Sequence, residues 1–139
     1  ARKAGIKVLA PLRGKALGFV LAFKAYQDVA DHQSGIMVVH PQGYLDFSYL
    51  AAHAMGVITD SGNVAEEATF NGVPCITLNS YTEHLETVTV GTNELVAEDP
   101  EKLQLAMEKI VKGEWKKAGI PDRWDGRSAE RIVQIICGE

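Results

Sequence analysis

Positive charge is in short supply: 14 Lys and Arg against 18 Asp and Glu leave a net charge of −4. Without a concentrated basic surface the chain is poorly suited to nucleic acid or an anionic membrane, and any anion it takes must be held locally. Cysteine is scarce too. The two thiols, Cys75 and Cys137, have neither metal-ligand nor disulfide spacing, which excludes a disulfide framework and a thiolate cluster. Both read as buried thiols of a reducing compartment. No apolar run approaches the ~18 residues of a membrane-spanning helix, and the start lacks a signal-peptide pattern, so a cytoplasmic location is expected. Internal repeats, low-complexity stretches and interdomain linkers are also missing. The chain begins at Ala1 rather than Met, as expected of a fragment or processed protein.

What is present suits one globular domain spanning residues 1–139. Hydrophobic residues make up 46% of the chain, enough to bury a core at this length. Short apolar runs alternate with longer amphipathic ones, the signature of a βα repeat and a parallel sheet. Strands are expected at Ile6–Ala10, Ile36–His40, Gly56–Thr59, Cys75–Leu78 and Glu94–Ala97. Helices are expected near Arg13–Ala30, Leu45–Ala54, Val64–Phe70, Pro100–Val111 and Ser128–Cys137. Asp99-Pro100 supplies an N-cap followed by Pro at the first helical position, and Gly72 and Gly113 fall where C-terminal caps belong. Residues 113–126 read as a loop crossing the surface.

The most telling stretch is Thr59-Asp60-Ser61-Gly62-Asn63-Val64-Ala65-Glu66-Glu67-Ala68. It follows the strand-like Val57-Ile58 and opens a helix. A strand ending in Ser-Gly before a helix exposes unpaired backbone N–H groups at the positive end of the helix dipole, which is the local requirement for a phosphate site. The plainer alternative is an Asp60 or Ser61 N-cap with acids complementing the dipole. The Gln42, Ser61 and Ser80–His84 turns all follow strand candidates, so they are expected to converge where strand order reverses in an open parallel sheet.

Taken with Phe70-Asn71-Gly72-Val73-Pro74, Tyr81-Thr82-Glu83-His84-Leu85-Glu86 and Gly91-Thr92-Asn93-Glu94, this stretch resembles the C-terminal domain of the non-hydrolysing UDP-N-acetylglucosamine 2-epimerases. The family pattern there runs approximately TDSGG-x-x-EE, G-x-P, TERPE and GT. Gln42-Gly43-Tyr44-Leu45-Asp46-Phe47 and Trp124-Asp125-Gly126-Arg127-Ser128 match as well. The resemblance covers roughly residues 40 to 137 and leaves 1–40 unplaced. It implies a Rossmann-like α/β domain, one half of a glycosyltransferase-B type enzyme, facing an N-terminal domain that this chain lacks. It also implies a homodimer in the full-length protein and no cofactor.

By the same resemblance, Gln42 takes the position whose backbone reads the uracil edge and Phe47 the position that packs on the base, although an aromatic there is more often core. Ser61, Gly62 and the backbone at Asn63 match the diphosphate turn, and Glu67 matches the carboxylate that accepts from the ribose hydroxyls. Glu66 reads as structural. Asn63 replaces the family's second glycine, tolerable because Asn visits left-handed backbone readily. His84 replaces the arginine of TERPE, and an imidazole cannot reproduce a permanently charged fork. The family epimerises C2 by eliminating UDP and re-adding it on the other face, with acid/base carboxylates from the N-terminal domain. His32, His40 and His53 carry no assigned role. The expected function is therefore the UDP-sugar-binding part of such an epimerase. A related UDP-sugar epimerase or glycosyltransferase, and a non-catalytic UDP-sugar-binding domain, remain the alternatives.

Overall fold

The computed structural model describes residues 6–11 and 35–138. The expected helix at Arg13–Ala30 and His32 lie outside them. The chain divides into two compact units, Ala1–Phe47 and Ser48–Glu139.

In the first unit, β1 (Val8–Pro11) pairs in parallel with β2 (Ile36–Val39), Val8 opposite Ile36 and Pro11 opposite Val39. Gly35, at φ 76°, turns the chain into β2 and its carbonyl accepts the Val8 N–H at 2.8 Å. After the Pro41–Gly43 turn, helix α1 (Tyr44–Ala52) begins in this unit and ends in the next.

The second unit is built on three parallel strands, β3 (Val57–Thr59), β4 (Cys75–Thr77) and β5 (Asn93–Leu95), lying side by side in sequence order. Every residue of the middle strand is buried. Successive side chains on a strand point to opposite faces, and β4 shows both sides of the layer. Cys75 joins Ala65, Ala68 and Val73 under helix α2 (Gly62–Phe70). Its neighbour Ile76 joins Val96 and Ala106, with Leu103, Met107 and Ile110 of helix α4 (Pro100–Lys112) and Trp115 packed around them. Helices on both faces of a parallel sheet are the expected α/β architecture. Alanines on the inner face of α2 let that helix approach closely, and Gly56 does the same for α4, since a Cβ there would stand 2.8 Å from Ile110 Cδ1.

Every expected element among the described residues falls within two residues of its expected bounds, and the differences have physical causes. Strand β5 starts one residue earlier than expected and stops at Leu95, because Ala97 and Glu98 adopt left-handed backbone (φ 55° and 56°) and lead the chain out of the sheet. A short helix, α3 (Leu85–Thr89), follows the Ser80–His84 turn, where no helix was expected. Asp99 caps α4 as anticipated, its carboxylate accepting from the N–H groups of Glu101 (2.9 Å) and Lys102 (3.2 Å), and Gly113 closes it at φ 71°. The loop after α4 is strapped down: Trp115 Nε1 donates to Thr92 O at 2.7 Å, and the Lys116 ammonium donates to Val88 O and Asn93 O, both at 2.6 Å. Burial pulls Lys116 below the usual lysine range. Helix α5 (Ser128–Cys137) is entered through Asp125, which accepts from Arg131 and from the Arg127 N–H.

One expectation needs correction: Cys137 is exposed at the end of α5, so only Cys75 is a buried thiol. Within each sheet the described strands run in sequence order, β1–β2 in one and β3–β4–β5 in the other. No helix among the described residues is long and apolar enough to cross a membrane.

Candidate functional site

Two turns leave the carboxyl ends of adjacent strands in the second unit, one after β3 and one after β4, and they are joined. Asn79 donates through Nδ2 to the Asp60 carbonyl at 3.0 Å. In the first turn Ser61 takes the extended backbone of an N-cap (φ −100°, ψ 125°), but its side chain makes no capping bond. Its own N–H is turned back to Thr59 Oγ1 at 3.0 Å. The first-turn N–H groups of α2 thus have no side-chain cap, and they stand at the positive end of its dipole. Asn63 lies inside this right-handed helix and is not among the residues with positive φ. Its backbone needs no left-handed conformation, so the tolerance argued for Asn at this position is not called upon.

The second turn brings His84 over the start of α2. A Cβ on Gly62 would stand 3.0 Å from His84 Cδ2 and 3.3 Å from Nε2, so the imidazole lies directly on the glycine. One helical turn on, on the same face, Glu66 meets the other side of the ring, its Oε1 3.1 Å from His84 Nδ1. Glu66 was expected to be merely structural, and it proves to be the partner that holds His84. The His84 backbone is fixed as well: its N–H donates to Thr82 Oγ1 at 3.1 Å and its carbonyl accepts from Thr87 Oγ1 at 2.7 Å.

Glu66, His84 and Glu86 each offer one ligand atom, and these lie within 4.8 Å of one another, the only such trio among the described residues. An imidazole with two carboxylates is a donor set suited to a divalent transition metal. In this structure the imidazole and one carboxylate satisfy each other.

Among the residues singled out in the sequence, Ser61, Gly62 and His84 therefore form one cluster, with Asn63 beside them. Glu67 is half-buried on α2, and its carboxylate has no protein partner among the described residues. Gln42 and Phe47 belong to the first unit. There the Gln42 side chain donates to His40 O at 2.6 Å, and Phe47 is half-buried in the first turn of α1. His53 is occupied locally, its Nδ1 2.8 Å from Tyr49 O. Sequence reasoning missed Glu66, Asn79, Glu86 and Thr87. The four-residue step from Gly62 to Glu66 was readable as one helix face, whereas the other three act through contacts that only the fold creates.

Taken together, the layered parallel sheet and the helices on its two faces define an α/β domain. The family model described as UDP-N-acetylglucosamine 2-epimerase matches residues 6–137, and the chain belongs to that family. It is 46% identical over 103 residues to the UDP-N-acetylglucosamine 2-epimerase of Methanocaldococcus jannaschii, covering 73% of this chain and 27% of that protein. It is 34% identical over 106 residues to the UDP-2,3-diacetamido-2,3-dideoxy-D-glucuronate 2-epimerase of Pseudomonas aeruginosa, covering 73% of this chain and 28% of that protein. The crystal structure of the M. jannaschii enzyme in complex with UDP-GlcNAc and UDP superposes with a TM-score of 0.76 at 35% identity, over 96% of this chain and 36% of that one. The chain thus spans about a third or less of the length of these relatives.

Proposed function

We propose that these 139 residues are the UDP-holding part of an enzyme that interconverts UDP-N-acetylglucosamine and UDP-N-acetylmannosamine. The observation that carries the reading is the uncapped start of α2, with Ser61 and Gly62 at its tip and His84 held beside it by Glu66. There the diphosphate accepts from the free N–H groups of the first turn. Glu67, whose carboxylate is not engaged elsewhere, accepts from the ribose hydroxyls. The leaving-group grip is what this part contributes to epimerisation. Proton transfer at C2 falls to acid/base carboxylates of an N-terminal, second Rossmann-like domain in a glycosyltransferase-B arrangement, and the whole enzyme works as a cytoplasmic homodimer. Likeness to the P. aeruginosa enzyme, which acts on a diacetamido glucuronate, favours a second reading in which the sugar differs while the UDP site is the same.

The test is UDP affinity by calorimetry on the 139-residue chain. Glu67→Ala is expected to weaken UDP by ~1.5–3 kcal/mol, the range for hydrogen bonds to a charged group. Exchanging Glu114, which lies exposed on the loop after α4, for Ala serves as the control and is expected to leave affinity unchanged. Glu67 lies beyond the first turn of α2, which holds no acid, so a merely structural Glu67 would instead alter a urea melt and leave binding alone. That pattern, or no UDP binding at all, sinks the reading.

A further inference from the structure

Behind His84 a line of buried hydrogen bonds runs back to the middle strand. Thr77 on β4 donates to Asn93 Oδ1 at 2.8 Å, Asn93 Nδ2 donates to Thr87 Oγ1 at 3.2 Å, and Thr87 Oγ1 donates to the His84 carbonyl at 2.7 Å. Thr77 is 3% exposed, and Asn93 and Thr87 are completely buried. The direction of every bond is forced. A carbonyl only accepts, so Thr87 spends its single proton on His84. Its lone pairs then face Asn93, which must present its amide NH₂ there and its oxygen to Thr77. Thr77, Thr87 and Asn93 are buried, so a break at Asn93 leaves a buried polar atom unsatisfied, whereas the half-buried His84 carbonyl also accepts the Thr87 N–H at 3.0 Å.

The helix that begins beside His84 cannot do this work alone. Five residues, Leu85–Thr89, are far below the length at which a helix holds itself, and the His84 side chain makes no cap to it. The geometry points to Thr77, Asn93 and Thr87 as positioning residues that set where His84 sits over Gly62, and so how the diphosphate is gripped. For its effect on binding the inference rests on the proposed UDP site. The relay itself does not depend on any ligand.

A double-mutant cycle separates this from a merely structural role. Thr87→Val is expected to weaken UDP about three- to tenfold, the worth of one neutral hydrogen bond, and Thr87→Ser to restore it. In a His84→Ala background, the same Thr87→Val exchange is expected to change affinity no further. An equal loss in both backgrounds overturns the inference, because the threonine would then act without His84. If Thr87→Val does not fold, Thr77→Val at the far end of the line is read in the same way. A readout without UDP decides the matter if the wild type takes no nucleotide, in which case the binding-site reading falls by itself. The His84 ring resonances should shift in Thr87→Val and return in Thr87→Ser. Unmoved resonances overturn the relay.

Discussion

His84 touches the start of α2 with one edge of its ring and Glu66 with the other, and the space for it exists only because residue 62 has no side chain. An alanine there would press on the ring from 3.0 Å, closer than comfortable contact, so the imidazole would have to move by a few tenths of an ångström. The helix itself gains from the change, because Gly costs roughly 0.5–1 kcal/mol relative to Ala within a helix. Gly62→Ala is therefore expected to leave a urea melt unchanged or slightly improved while weakening UDP roughly three- to tenfold. Calorimetry beside the melt checks this. Unchanged affinity would mean that the ring position is irrelevant to the ligand. Only part of this pairing was legible beforehand: the motif marked both Gly62 and His84, but nothing in the linear order says that a residue of the later turn lies on the earlier one.

Among the elements, legibility followed locality. Helix α4 carries its own end signals, Asp99 and Pro100 at the start and Gly113 just after the end, and it came out as read to within one residue. Helix α3 does not announce itself, because Thr87, Val88 and Thr89 are β-branched and disfavour a helix on their own; bonds from Asn93 to the Thr87 hydroxyl and from the Lys116 ammonium to the Val88 carbonyl hold it from outside. The end of β5 was equally hidden, since the left-handed turn falls on Ala97 and Glu98, where no glycine marks it. Gly91, just before β5, shows the reverse case of a motif residue whose reason is steric. A Cβ there would stand 2.4 Å from Thr69 Cγ2 and 2.7 Å from the Thr87 carbonyl. Thr69 cannot retreat freely, because its hydroxyl accepts the Thr92 N–H at 3.3 Å. Gly91→Ala is thus expected to destabilise the second unit by about 1–3 kcal/mol or more, as overpacked cores do, measured as a lower urea midpoint with an unchanged slope.

Over the whole molecule, the α/β class and the sheet's parallel sense followed from the alternation of apolar and amphipathic runs. The division at Phe47 did not, because it falls within helix α1, with no change of composition to mark it. Cysteine chemistry separates the two thiols just as sharply: Cys137 is exposed, whereas burial pushes the Cys75 thiol up to about 12. Thiolate is the reactive form, so Cys75 is silent as long as β4 stays covered on both faces. That silence makes the middle strand its own clock. A thiol reagent at neutral pH should consume one equivalent at once, at Cys137, and a second only at the rate at which the sheet opens, a rate that urea should raise in step with unfolding. Two equally fast thiols would show that the centre of the second unit breathes far more often than its packing implies.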